Sequence, residues 1–167
     1  RMGETAIVLG EVRGGEARTL YQGMRTGRAG SAVMGTIHGS SAESVFERVV
    51  HDLDISREAF SATDVIISMG IHRPMGTGKR SRKVVQVAEY KGDGEFKDLI
   101  SFDGRVWTSD PEGSRVLGGI AKSWNVALEE VIRDLRKRAA LKGAIVQAEE
   151  VQDRLEPKCT IRTNGLY

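Results

Sequence analysis

The stretch AIVLGEVRGGEA, residues 6–17, decides how the fold is read. Three apolar residues, Ile7-Val8-Leu9, run into Gly10, then a lone acid, Glu11, and then Val12-Arg13-Gly14-Gly15-Glu16. An apolar run over 5–9 marks a strand buried on both faces, as in a parallel sheet. From Glu16 the period changes. Ala17, Leu20, Tyr21 and Met24 recur at helical spacing, and Gly27 offers a left-handed cap, which predicts a helix over 15–26.

Working outward, a second short strand is predicted over 32–37, ending at His38-Gly39. Ser40 and Glu43 then have the spacing of a capping box, a hydroxyl at the N-cap and a carboxylate three positions on. Val45, Phe46, Val49, Val50 and Leu53 give the helix behind it one apolar stripe. Strand, helix, strand, helix implies parallel strands joined by a right-handed crossover. Glu11 and His38 then fall just past the carboxyl ends of their strands, the edge where open α/β sheets bind ligands.

Further along, DVIISMG (64–70) reads as another buried strand. KVVQVAEY (83–90) and EFKDLISF (95–102) read as a hairpin, because Lys91-Gly92-Asp93-Gly94 supplies the positive φ of a tight turn. Residues 72–83, with Pro74, Gly76 and Gly78, read as a basic loop. From Ser114 the pattern is helical, with Asn125 as an N-cap and Leu128, Val131, Ile132, Leu135 and Ala139 as an apolar face.

Composition narrows the function classes. The 167 residues suffice for one domain with a real core, and 25 basic against 23 acidic residues leave a net charge of +2. That balance gives no global pull toward nucleic acid or anionic membrane. Aromatic residues are 5% of the chain, and none interleaves in sequence with the cluster Lys79–Lys83, which argues against a nucleic-acid partner. The cluster itself reads as a solvated loop or as a surface facing a neighbouring subunit. The single Cys159 excludes an internal disulfide and reads as an unpaired thiol. Trp107 and Trp124 read as core or interface anchors. No apolar run approaches the roughly 18 residues that span a bilayer. The chain starts at Arg1, without a signal-peptide pattern, and reads as a piece of something longer.

Two residues remain open on chemical grounds. Glu11 is either a helix-entry acid that favours the positive helix end, or a carboxylate that handles Mg²⁺ and the attacking water of a nucleotide hydrolase. His38 is either a satisfied structural histidine or, among Thr36, Ser40 and Ser41, a donor to a phosphate oxygen.

IVLGEVRGGEA followed by AGSAVMGTIHGSSAESVFERVV resembles the Walker B motif and histidine box of the secretion ATPase superfamily. These are the hexameric motors of type II and type IV secretion, type IV pili and the archaeal flagellum. The TIHGSS form and the strand KRSRKVVQVAEY look most like the archaeal branch. The match is dense over about 4–55 and extends through about 102. The resemblance implies the C-terminal part of a RecA-like P-loop ATPase core: a mainly parallel sheet with flanking helices, a β-hairpin and a helical tail. Residues 1–110 would be the C-terminal half of the ATPase domain and 111–167 the tail. Glu11 would be the Walker B glutamate acting on Mg²⁺ and water, and His38 the histidine-box residue. Arg13, Glu16 and Thr36 would contact the nucleotide beside them.

Implied with these are ATP and Mg²⁺ in the full-length protein, and a homo-hexamer completed by the N-terminal half of the ATPase. Also implied is an integral-membrane platform partner that holds the motor at the cytoplasmic face of the membrane. A regulatory or interaction module that kept the fold and lost hydrolysis is the alternative. The sequence departs from the family in one respect: it contains no G-x-x-x-x-G-K-[ST] loop and no aspartate box before Glu11. The P-loop supplies most phosphate binding, so the 167-residue chain alone is expected to bind ATP poorly and turn over none.

Overall fold

A computed structural model describes residues 6–26, 32–73, 78 and 80–155, with side chains through 147. The expected cap at Gly27, Lys79 of the basic cluster and Cys159 lie outside the described residues. The chain divides into two compact units, one ending at Val116 and one beginning at Leu117.

The first unit opens with strand β1 (Ile7–Leu9), helix α1 (Glu16–Thr26) and strand β2 (Val33–Gly35). β1 and β2 pair in parallel, Ile7 opposite Val33 and Leu9 opposite Gly35, as the crossover pattern requires. The chain then enters α2 (Ala42–Glu47), which continues as a π-helical turn, Arg48–Asp52. The widened turn closes through Leu53 N–H on the Arg48 carbonyl, 3.1 Å, and leaves Val49 wholly inside. The capping box sits one residue later than its sequence spacing suggests. Ser41 is the extended N-cap, and Ser44 replaces Glu43 as the reciprocal partner, its Oγ accepting the Ser40 and Ser41 N–H groups at 2.9 Å. Gly39 makes this entry possible, since a Cβ there would lie 2.5 Å from Val45.

A short helix α3 (Arg57–Phe60) leads to β3 (Val65–His72), β4 (Ser81–Gly92), β5 (Glu95–Phe102) and β6 (Trp107–Ser109). These four strands form an antiparallel sheet in chain order. The fold is therefore mixed α/β, with parallel pairing confined to β1 and β2 among the described residues; a mainly parallel sheet is not what forms. The reason is local. β3, β4 and β5 are joined by short connections, and short connections return a strand antiparallel. The β4–β5 turn has the two-residue geometry expected of it, with Asp93 at φ 52° and Gly94 at φ 85°.

The core lies between the helices and one face of this sheet. Phe60, Phe46, Tyr90 and Tyr21 are buried and Phe96 half-buried beside them. Phe46 and Tyr90 each meet Phe60 edge-on at 4.9 Å, the arrangement aromatic quadrupoles favour. Two strands expected to be buried on both faces are not. Ile7 and Val8 of β1 are exposed, and Ile67, Met69 and Ile71 of β3 each stand about 60% exposed on the face away from the aromatic core.

At the end of the first unit, Glu89 is buried on β4 and accepts the Ser114 hydroxyl and the N–H groups of Arg115 and Val116. These residues begin α4 (Arg115–Trp124). In the second unit, Asn125 is not the N-cap of the last helix. It takes φ 55° as the left-handed residue that ends α4, and Val126 N–H bonds back to the Ala121 carbonyl, 3.0 Å, in a Schellman motif. Helix α5 (Leu128–Leu155) follows. Of its expected apolar face, Val131 is buried while Leu135 and Ala139 are exposed. Trp107 and Trp124 are likewise exposed, so neither is a core anchor. Among the described residues no helix is long and apolar enough to cross a membrane.

Candidate functional site

Each strand of the β1–β2 pair contributes one half of the site. β1 stops at Leu9 and the chain crosses Gly10 to Glu11; β2 stops at Gly35 and crosses Thr36 and Ile37 to His38. The two segments stay paired past the strand ends. Thr36 N–H donates to the Leu9 carbonyl at 3.3 Å, Val12 N–H donates to the Thr36 carbonyl at 2.8 Å, and the Thr36 hydroxyl donates to the Gly10 carbonyl. Val12 between them is buried and anchors the loop to the core. Thr36 therefore fastens one rim segment to the other, spending its own proton on backbone.

That stitching brings the chemistry together. His38 Nε2 lies 2.8 Å from Glu11 Oε1, and Arg13 Nε lies 2.6 Å from the same oxygen. Both nitrogens donate to one carboxylate oxygen. The Arg13 hydrogen bond, with the Arg13 charge and His38 behind it, holds the Glu11 carboxyl below the ordinary glutamate range. Glu16 plays a different part. Its Oε1 accepts Arg13 N–H at 2.5 Å and Gly14 N–H at 3.0 Å, bonds that depress its own pKa and brace the loop carrying Glu11 and Arg13. It braces the loop and does not line the pocket formed at the strand ends.

Glu11, Arg13, Thr36 and His38 line a surface pocket of about 390 Å³. On its other side His38 opens on a larger cleft of about 900 Å³, lined by Ser44, Glu47, Arg48 and His51 among others. No motif in the sequence marks these residues. Their spacing, 44, 47, 48 and 51, puts them on one helical face, a signal that α2 has a polar side toward His38 as well as an apolar side toward the core. Arg48 Nε is buried there without a partner among the described residues.

The pocket offers one carboxylate with two nitrogen donors, the Arg13 guanidinium and the His38 imidazole. Among the described residues no group of three or more His, Cys, Asp or Glu could hold a metal by itself. Magnesium rarely asks for one, since it keeps several waters and takes one or two carboxylates plus phosphate oxygens. The donor set thus fits a magnesium–phosphate ligand, with Glu11 toward the ion's water shell and Arg13 and His38 toward phosphate oxygens. Such a ligand would offer phosphate oxygens as acceptors in place of the Glu11 oxygen that the two donors now meet.

No protein-family model matches the chain. An uncharacterized protein of Methanocaldococcus jannaschii is 26% identical over 141 residues, covering 80% of this chain. The chain spans half the length of that relative.

Proposed function

We propose that this chain is the C-terminal part of a hexameric ATPase of the secretion superfamily, with a RecA-like core completed by the N-terminal half. Its work would be to power protein secretion or the assembly of a type IV pilus or archaeal flagellum, as a peripheral motor at the cytoplasmic face of the membrane. Its partners are identical subunits and an integral-membrane platform protein.

One observation carries the reading: Glu11 and His38, arriving from two parallel strands, share a 2.8 Å contact at the strands' carboxyl ends. Glu11 is the acid that orients the attacking water, because its carboxylate is kept ionised at the strand ends. Arg13 would neutralise phosphate charge and His38 would donate to a phosphate oxygen, and on turning to phosphate both would release Glu11 to act on water. The magnesium ion supplies the remaining charge on the phosphates when it is bound. His38 also leads through Gly39-Ser40 directly into the Ser41 cap of α2, so a shift of the imidazole is passed to that helix. His38 thereby reports the state of the nucleotide more than it binds it.

The test uses the full-length parent. Glu11→Gln keeps the shape and removes the charge, and hydrolysis should fall by on the order of 10²–10⁴ while ATP still binds. Hydrolysis at the wild-type rate would make Glu11 a helix-entry acid only. No hydrolysis by the wild-type parent, with its fold intact, would favour the interaction module.

A further inference from the structure

The antiparallel sheet gathers a second set of residues far from the strand ends that carry Glu11 and His38 in sequence. In a meander the β3–β4 connection and the β5–β6 turn emerge at the same end. That end joins His72 and Arg73 of β3's exit, Arg80, Arg82 and Lys83 of β4's entry, Arg105 and Val106 of the β5–β6 turn, and Trp107 that opens β6. In sequence no aromatic residue interleaves with the basic ones, yet the strand pairing supplies two. Phe102 and Trp107 stack at 4.3 Å, and the Lys83 ammonium stands 4.8 Å over the Trp107 ring. His72 meets Phe102 edge-on at 5.5 Å, and Trp107 Nε1–H donates to the Val84 carbonyl at 3.1 Å, so the indole is fixed in place.

Cations and uncovered apolar side chains alternate here. Ile71 is 61% exposed, Val106 60% and Trp107 47%. Against five Arg and Lys residues, the segments 71–73, 80–84 and 102–107 hold one acid, Asp103. Its carboxylate is turned onto the N–H groups of Arg105 and Val106, both at 2.8 Å.

We infer that this end of the sheet docks on an anionic lipid bilayer. The arginines and Lys83 meet the headgroup phosphates, and Ile71, Val106 and the Trp107 indole enter the interfacial layer. Tryptophan at an interface, aliphatic tips and a ring of basic residues are what a bilayer surface selects. A nucleic acid would use the charge but has no use for Ile71 and Val106. The inference names a surface for the membrane location proposed above, yet it stands on this end of the sheet and needs nothing from the nucleotide site.

The experiment is co-sedimentation of the 167-residue chain with vesicles of phosphatidylcholine, with and without phosphatidylserine, at two salt concentrations. Binding should require phosphatidylserine and weaken with salt. Arg80→Ala with Arg82→Ala should lower the partition coefficient about thirty-fold, near five-fold per residue. Ile71→Ser with Val106→Ser should weaken binding and leave its salt dependence intact, with circular dichroism unchanged. In a Trp124→Phe background, Trp107 emission should move to the blue on phosphatidylserine vesicles. Equal binding to neutral vesicles, or none to either, would overturn the inference. So would capture of a single-stranded oligonucleotide in place of vesicles, lost with the arginines and indifferent to Ile71 and Val106. Glu11→Gln should bind vesicles as the wild type does, which keeps this result separate from the ATPase reading.

Discussion

Two strand systems of similar apolar content meet different fates in the first unit. β1 and β2 are three residues each, and Ile7, Val8 and Met34 remain exposed. β4 and β5 run 12 and 8 residues and, with α2 and α3, enclose Phe46, Phe60 and Tyr90. The candidate site stands on the thin pair and the stability of the unit rests on the aromatic cluster. Val12, buried in that core, and Leu9, Val33 and Ile37, packed against it, tie one to the other. Substitutions in the cluster should therefore unfold the unit, whereas substitutions at the rim should change chemistry and leave melting almost untouched.

Phe60→Ala should have the largest effect. The ring is fully buried and touches Tyr21, Phe46, Tyr90 and Phe96, so its removal should cost about 3–5 kcal/mol. Denaturant unfolding measures this, and a loss under about 1 kcal/mol would mean the cluster is not where the stability lies. Gly94→Ala comes next. The residue needs φ 85°, and a Cβ would lie 3.2 Å from the Phe46 ring, so the hairpin turn should lose about 1–2 kcal/mol in the same assay.

The smallest effect is expected at Glu16, and it has a pH signature. Its folded pKa is depressed, chiefly by Arg13 N–H and then by its other backbone bonds. A depressed carboxylate adds stability above its unfolded pKa and loses it as pH falls through the folded value. Wild-type melting temperature should therefore decline once pH drops below the ordinary glutamate range. Glu16→Gln should start slightly lower at neutral pH and decline less. Equal slopes for the two proteins would show that Glu16 braces nothing.

The rim was legible in the sequence because its signals are local. Glycine punctuation at Gly10 and Gly39 and the change of period at Glu16 fix strand, helix and strand without reference to the rest of the chain. The Asp93-Gly94 turn is legible for the same reason. What tertiary packing decides was not. Exposure of Ile67, Met69 and Ile71 depends on what covers a sheet face, which an alternating or continuous apolar run does not encode. Asn125 suits an N-cap and a left-handed C-terminal residue equally, and only the helix before it chooses. The meeting of Lys83 with Trp107 required strand order. At the site, Glu11, Arg13 and His38 come together, whereas Thr36 and Glu16 serve the backbone of the rim. Arg48 and His51 enter from a helix face whose apolar side had drawn the attention.

His38→Ala in the full-length parent tests the separation most directly, with melting temperature and ATP hydrolysis measured on the same preparation. His38 is 72% exposed, so melting should shift by no more than about 2–4 °C. Hydrolysis should fall strongly, with ATP affinity little changed. A protein that melts several degrees lower yet hydrolyses normally when folded would contradict the account and make His38 a structural residue.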